Sequence, residues 1–414
     1  MDTFGEFQKE KSAYIFSNEP LVYLSNEYLC LFQKSIEDLR KFVDAEAIMV
    51  NAAQQVAYHQ FSSYFKSHSK LSIHERKKLV EDYFCSCGFG KLSLKALHAK
   101  GGYVETRHNV FAQTWLDKYG ERPADQSGVS YFALGMFCGI TEAIFGIKHG
   151  SFSGRQSLCI AKGDDHCRFE IFRGKMKTLK GSPGLGGVQE VNLTPGDTGS
   201  VDFDQIADFW LQNFFKSNDE NGVIEAFGQT ISLHYANYFC LVALNVLIDI
   251  EKKVGRKGVS LARVKMIDAS NFGTLKLVHG LLQSDQWKSN IASMIKHKDE
   301  TVYAVLASLM SFGWGYWKAQ SLSEAGETTF EINGGFESNA FEKLIGKVKE
   351  PICYFAYGCG LGLMNSVYNT DLNGGASIDD NSIESICKGD NKFLIKAAKT
   401  RASGNGADVI TVGR

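Results

Sequence analysis

The sequence predicts a mixed α/β (α+β) protein built from two similar domains. Three observations carry this prediction. One pattern occurs twice in the 414 residues, near the middle and near the carboxyl end. Long stretches have apolar residues at helical spacing, which indicates α-helices. Short segments around glycine and aspartate turns indicate antiparallel hairpins. A chain of this length is expected to form two domains of roughly 200 residues each.

The repeated pattern runs over residues 131–169 and again over residues 354–396. Both copies begin with Tyr-Phe-Ala, continue with helix glycines at matching offsets and reach a Lys-Gly-Asp turn. A Gly-x-Gly triplet lies at a similar distance upstream of each copy. Landmarks in the same order predict an internal duplication. The pairs are Gly135 with Gly358, Gly139 with Gly362, Lys162-Gly163-Asp164 with Lys388-Gly389-Asp390, and Gly88-Phe89-Gly90 with Gly313-Trp314-Gly315.

We place the first domain at residues 1–180 and the second at residues 203–414. Residues 181–202 are rich in Gly, Pro, Thr and Asp, so we interpret them as a linker. The basic residues just before it could contact phosphate, although a solvated strand end is favoured. They are Arg173, Lys175, Lys177 and Lys180.

In the first domain, helical periodicity covers residues 25–65 and 74–84. A strand or two is expected around residues 102–106, and a further helix at Val110–Tyr119. The repeated stretch then supplies a glycine-rich helix and a hairpin whose turn is residues 162–165.

The second domain is expected to begin with a helix near Phe203. Its most apolar run, residues 239–250, is too short and too closely flanked by charge to cross a membrane, so a buried helix or strand pair is expected. Residues 274–287 and 302–317 repeat the helical portion. The tail after Lys396 is expected to be partly disordered.

Composition argues against several classes of protein. The chain has 45 Lys and Arg and 46 Asp and Glu, and its net charge of −1 gives no general attraction to nucleic acid or anionic membranes. We find no signal peptide at Met1 and no apolar run long enough to span a bilayer. Ten cysteines in this context indicate reduced thiols. We therefore expect a cytoplasmic monomer or homodimer.

A glycine-faced helix followed by a cysteine-flanked Gly-Asp turn resembles the core of the 4-vinyl reductase domain, also called the hydrocarbon-binding domain. The resemblance lies in residues 131–169. It implies helices packed on an antiparallel sheet and a pocket for a small hydrophobic or aromatic molecule. Single-copy relatives commonly pair, so it also implies that the two fused copies form an intramolecular pseudo-dimer.

Cys159 and Cys167 are candidate metal ligands, because they leave opposite ends of a tight turn and thiolates suit zinc. In aromatic-sensing transcription activators with a similar domain, a glutamate and an upstream cysteine complete a zinc site. Here Gln156 and Ser130 occupy those positions. Zinc is a candidate cofactor through a rearranged ligand set, and packed free thiols are the alternative.

The second copy departs further from the pattern. Ser385 and Phe393 replace the two hairpin cysteines, while Cys353 stands at the upstream position. We therefore interpret the second domain as degenerate and more structural than the first.

Five residues of the first domain are candidate ligand contacts. Relatives place their pocket near the hairpin between the helices, where two histidines flank the predicted strands and aromatic residues could form walls. Surface or core histidines and ordinary core packing are the alternatives. The candidates are His98, His108, Trp115, Tyr131 and Phe145.

The leading functional prediction is a cytoplasmic sensor or carrier that encloses a small hydrophobic or aromatic molecule and acts through a protein effector. An enzyme of the 4-vinyl reductase type, or a metal-assisted catalyst, is a less favoured hypothesis. The sequence shows no nucleotide-binding motif for a hydride donor, so an enzyme would need a metal or a borrowed cofactor. A structural adaptor without a ligand is the third hypothesis.

Overall fold

The computed structural model describes residues 4–181, 190, 198–213, 215–346, 352–370, 380–388, 392–399 and 407–414. Most of the predicted linker, the Gly389-Asp390 part of the second turn and residues 400–406 of the tail lie outside these ranges. Within them the protein is a mixed α/β structure with antiparallel sheets, which confirms the predicted class.

The first half alternates short strands with helices. Its elements are β1 (Glu6–Gln8), β2 (Ala13–Phe16), β3 (Glu19–Ser25), α1 (Asn26–Glu37), α2 (Ala45–Ser67), α3 (Ile73–Ser86), β4 (Gly101–Thr106), α4 (Val110–Tyr119), α5 (Tyr131–Ile144), β5 (Phe152–Leu158) and β6 (Cys167–Arg173).

The second half follows a similar order. Its elements are α6 (Phe203–Asn213), β7 (Ile224–Ala226), β8 (Gln229–Tyr235), α7 (Ala236–Val254), α8 (Arg256–Gln283), α9 (Asp285–Asn290), α10 (Lys298–Ser311), β9 (Tyr316–Ser321), β10 (Glu327–Asn333), α11 (Phe336–Ile345), α12 (Tyr354–Tyr368), α13 (Asp380–Lys388), β11 (Leu394–Lys399) and β12 (Asp408–Gly413).

One five-stranded antiparallel sheet joins the two halves. Its strand order is β1-β2-β3-β8-β7, and β3 pairs with β8 so that Tyr23 lies opposite Leu233. Every residue of β3 is buried. Two further sheets, β4-β6-β5 and β11-β12-β10-β9, belong to one half each.

Each half contains a closely packed helix pair that depends on glycine. A Cβ atom on Gly135 or Gly139 of α5 would lie 2.1 or 2.2 Å from a backbone oxygen of α2. A Cβ atom on Gly358 or Gly362 of α12 would lie 2.3 or 2.6 Å from a backbone oxygen of α8. Real Cβ atoms do not approach this closely, so the helix glycines that mark the repeat serve the same contact in both halves.

Several sequence expectations were wrong in detail. Residues 25–65 form two helices, not one, because the chain turns at residues 38–44 and the Asp44 side chain caps α2 by accepting from Ala47 N at 3.1 Å. Residues 302–317 were expected to be helical throughout, but the helix α10 ends at Ser311 and the strand β9 begins at Tyr316.

The carboxyl-terminal part of the chain also differs from expectation. Ser385, expected in a hairpin, lies on α13, where Ile383 and Cys387 pack against Leu275 of α8. The tail was expected to be partly disordered; its residues 408–413 form β12, hydrogen-bonded between β11 and β10, whereas residues 400–406 lie outside the described ranges and the expectation for them stays a prediction.

The apolar run at residues 239–250 lies within α7, so it is a buried helix and not a strand pair. Among the helices that the structure describes, none combines the length and apolar character needed to cross a bilayer.

Candidate functional site

A small aromatic cavity lies where the two halves meet. α1, α4 and the amino-terminal end of α5 form one side, and β8 and α7 form the other. Its volume is about 20 Å³, which is about the space of one water molecule. The lining includes Phe111, Trp115, Phe132, His234, Tyr238 and Phe239.

His234 is the central polar residue of this cavity. It is fully buried, and its ring centroid lies 4.8 Å from those of both Phe89 and Phe132, and 5.8 Å from that of Phe111. Burial among these rings lowers the pKa of His234 well below its usual value, because the charged form would lose its hydration. The imidazole is therefore neutral at physiological pH.

A chain of hydrogen bonds assigns the proton on this neutral ring. Asn26 Nδ2 donates to Thr230 Oγ1 at 3.0 Å, which leaves Asn26 Oδ1 to accept from Ser232 Oγ at 2.6 Å. Ser232 Oγ, having donated its proton, accepts from His234 Nε2 at 2.9 Å. Nδ1 is then an unprotonated acceptor, and it has no partner among the described residues.

An open cleft of about 980 Å³ lies beside the cavity, between α4 and the β7–β8 hairpin. Thr230, the outer member of the hydrogen-bond chain, lines this cleft. On its wall, Glu27 accepts from Lys118 and from Lys276, each at 2.6 Å. A polar path thus leads from the cleft to the buried imidazole.

The structure brings two of the five predicted contacts to these spaces. Trp115 lines the cavity, and His108 lines the cleft. Tyr131 lies outside both, as do His98, which is exposed, and Phe145, which is half-buried at the end of α5. A ligand-binding role for any of the five stays a prediction.

Local contacts explain the positions of the outlying residues. The Tyr131 hydroxyl bonds to Arg122 and Ser127, at 3.0 and 3.1 Å. His98 Nδ1 accepts from Lys100 N at 3.2 Å in the turn that leads to β4.

Sequence reasoning missed His234 and Phe132. Phe132 follows a predicted residue, Tyr131, and faces the other side of the same helix turn. His234 belongs to the second half, whereas the five predicted contacts all belong to the first. The sequence held one signal. Ser232 and His234 alternate with the apolar residues Ile231 and Leu233, which is the pattern of a strand and places both polar side chains on the same face.

Cys159 and Cys167 lie in contact, as the hairpin predicted, and both are buried. The Cys167 thiol and the backbone N–H groups of Val129, Ala161 and Lys162 donate to the Cys159 sulfur, and they lower the pKa of Cys159. The pKa of Cys167 is raised, because its proton is shared with Cys159 and its sulfur is buried.

Gln156 and Ser130 also converge on this thiol pair. Ser130 N donates to Gln156 Oε1 at 3.0 Å, and the Gln156 side chain bonds to Cys167. An amide and a hydroxyl do not supply the anionic or imidazole ligands of a structural zinc site. Within the described ranges, no group of three or more His, Cys, Asp or Glu side chains is placed to hold a metal. The residues present therefore do not fit zinc at this hairpin.

Comparison with known proteins adds little. No family model and no curated protein matches the sequence. One similar solved structure is the phenol-responsive sensory domain of the transcription activator PoxR with phenol, at 15% sequence identity and a TM-score of 0.35. The match covers 41% of this chain and 85% of that chain. A similarity of this size assigns neither a family nor a ligand.

Proposed function

We propose that the protein binds a small neutral aromatic or apolar molecule beside His234, as a sensor or carrier. One observation carries the proposal: His234 Nδ1 is a fully buried acceptor with no hydrogen-bond partner in the described part of the chain. Leaving such a group unsatisfied costs about 1–3 kcal/mol. A ligand with one O–H or N–H donor would recover this energy.

The lining of the cavity supports a neutral, ring-sized ligand. Among the described residues that line it there is no Asp, Glu, Lys or Arg side chain, so a charged molecule would lose its hydration without compensation. The edges and faces of Phe132, Phe239 and Trp115 can pack against an aromatic ring.

Binding requires the cavity to enlarge. About 150 Å³ holds benzene in an engineered protein cavity, far more than the 20 Å³ here. Helix α4 carries two of the walls, Phe111 and Trp115, and the Arg122 guanidinium covers the Trp115 ring at 4.7 Å. Arg122 is held by Glu37 at 3.0 Å. We propose that the ligand displaces α4, and that a protein effector in the cytoplasm reads this displacement.

We also propose that residues 1–180 and 203–414 are two copies of one domain related to the 4-vinyl reductase domain, paired as an intramolecular pseudo-dimer. The α2–α5 and α8–α12 contacts and the shared sheet support this arrangement. The first Gly-x-Gly triplet has φ values of 80° and 101° at its glycines, and the second has 82° and 98°.

The test compares phenol with toluene, which has a similar size and lacks the donor. Titration calorimetry is expected to show phenol binding about tenfold more tightly, the value of one net hydrogen bond. In His234→Phe the preference should disappear, and in the exposed control His74→Phe it should remain. Equal affinities of the unmodified protein for both probes would contradict the proposed role of Nδ1.

A scaffold without a ligand is the second candidate, and the small volume of the cavity favours it. One water molecule would fill 20 Å³ and could satisfy Nδ1. In that case neither probe binds, and native mass spectrometry of the purified protein detects no organic molecule.

A further inference from the structure

A second histidine with a buried, unpartnered nitrogen, the half-buried His149, lies in the first half, away from the cavity residues. Glu142 of α5 is fully buried, and its Oε1 accepts from Gln54 Nε2, Ser151 N and Phe152 N at 2.9, 2.7 and 3.0 Å. Its Oε2 lies 2.9 Å from His149 Nδ1. The carboxylate therefore fixes the position and the tautomer of His149.

The other nitrogen of His149 has no such partner. Nε2 is buried and makes no hydrogen bond to any described residue. The ring stacks on Tyr58 at 4.6 Å, with His59 at 5.8 Å, so the imidazole is held on one face as well as at Nδ1. The hydrogen bond to Glu142 uses only Nδ1 of His149, so it does not account for the second ring nitrogen, Nε2.

His149 lines a cleft of about 890 Å³ whose charged side chains are all basic. Lys148, Arg173 and Lys175 line it, and no Asp or Glu does among the described residues. Arg173 donates one hydrogen bond to Ala99 O, at 2.9 Å, which uses one of its five N–H groups. Lys148 and Lys175 are exposed.

We propose that this cleft binds a small oxyanion, the phosphate or carboxylate group of a small molecule. An imidazolium whose Nδ1–H is held by a carboxylate has Nε2–H left to donate to an anion, and because Nε2 of His149 is buried, the anion reaches it only if the loop of residues 148–151 shifts. The three basic side chains supply attraction and further charge-assisted hydrogen bonds. The site shares no lining residue with the His234 cavity, so it can be present whether or not that cavity binds a ligand.

The first experiment measures inorganic phosphate and acetate binding by titration calorimetry at constant ionic strength. Constant ionic strength matters because diffuse attraction to a basic surface is screened by salt. The proposal is supported if phosphate, acetate or both bind saturably and more tightly than chloride. The anion that binds shows whether the site prefers a phosphate or a carboxylate group. Binding of neither, or no more than chloride, overturns the proposal.

Two lysines in the segment that follows β6 provide a matched test variant and control. Lys175 lines the cleft, whereas Lys177 pairs with Asp249 at 3.6 Å and does not line it. Lys175→Ala is expected to weaken anion binding several-fold, and Lys177→Ala to leave it unchanged. Equal losses in both variants would show nonspecific attraction and overturn the site.

His149 is tested by two substitutions that separate its nitrogens. In His149→Asn the amide nitrogen can replace Nδ1 beside Glu142, but nothing replaces Nε2. Anion affinity should fall about tenfold, the effect of one charge-assisted hydrogen bond. In His149→Gln the longer side-chain amide can reach further, so part of the anion affinity should return. If His149→Asn folds and binds the anion as the unmodified protein does, His149 is not a ligand contact; if it does not fold, the lysine pair decides.

Discussion

At the residue scale, the polar side chains that this fold buries decide its chemistry. His234 and His149 each use one nitrogen in a hydrogen bond to the protein, and the other nitrogen has no partner among the residues that the structure describes. Glu19 and Glu337 are buried carboxyls at the junction of the halves, and burial raises the pKa of each to about 7. Burying such groups lowers the free energy of unfolding, so replacing one of them, or changing its protonation, should change a measured stability or affinity.

Glu19 should make the stability of the protein fall as the pH rises. Its Oε2 accepts from Asn237 Nδ2 at 2.7 Å, and burial raises its pKa to about 7. The folded state therefore holds a proton that the unfolded state releases near pH 4.5. Stability is fully present below that pH and falls as the pH rises through 7, by on the order of 3 kcal/mol.

Urea unfolding at pH 5 and pH 8 measures this loss. Glu19→Gln should reduce the difference between the two pH values, because the amide does not ionise. The exposed control Glu220→Gln should keep it. The pKa assignment is wrong if the Glu19→Gln variant loses as much stability between the two pH values as the unmodified protein.

The residues of the thiol pair could be placed from sequence, and the cavity histidine could not. Cys159 and Cys167 leave opposite ends of a tight turn, a position from which their side chains can converge, and in the structure they lie in contact. His234 meets Phe111 and Phe132 through pairing between strands more than 200 residues apart. Local pattern holds no information about that pairing.

At the scale of elements, apolar periodicity located most helices but not their ends. Leu39 and Val43 are buried in the turn between α1 and α2, so the apolar stripe continues across the break. The strands β1 and β2 were missed because they have only three and four residues, and β3 because it is buried along its whole length and so lacks the alternation of apolar and polar residues. The β2–β3 turn consists of Ser17 and Asn18, whose φ values are 50° and 67°, as a two-residue hairpin loop requires. Asparagine tolerates positive φ, so this pair was a turn signal in the sequence.

The glycines of α12 provide a test of close helix packing. Gly358→Ala is expected to destabilise the protein by about 2–4 kcal/mol, because the new Cβ would lie 2.3 Å from the backbone oxygen of Ile267. Gly360, on the same helix, has nothing nearer than 3.7 Å. Gly360→Ala should be neutral or stabilising by up to about 1 kcal/mol, because alanine favours helix.

Urea unfolding of the two variants measures the difference. The α8–α12 contact would be looser than described if neither substitution destabilised the protein. A loss in both would instead indicate that the face of α12 carrying Gly360 is also closely packed.

At the scale of the whole molecule, the halves are joined by more than a chain connection. β3 of the first half is buried in the sheet next to β8 of the second. Trp314 Nε1 donates to Tyr23 O at 2.7 Å, and the Tyr14 hydroxyl donates to Ser311 O at 2.8 Å. Separating the halves would expose this strand and break both hydrogen bonds.

We therefore expect the halves to unfold together. Fluorescence of variants that retain only Trp115 or only Trp317 should give the same urea midpoint, since Trp115 lies in the first half and Trp317 packs on Phe330 in the second. A midpoint that differs between the two probes would mean that one half remains folded without the other, and the shared sheet would not couple them.

The sequence by itself determined the mixed α/β class, the paired glycine landmarks and the meeting of the hairpin cysteines. These follow from local rules: periodicity, turn geometry and the absence of a Cβ in glycine. The tertiary structure alone decided that β3 pairs with β8, and therefore that Asn26, Ser232 and His234 form one chain of hydrogen bonds. An apolar pattern shows which face of an element is buried, but not which distant element covers it, and both proposed sites depend on that choice.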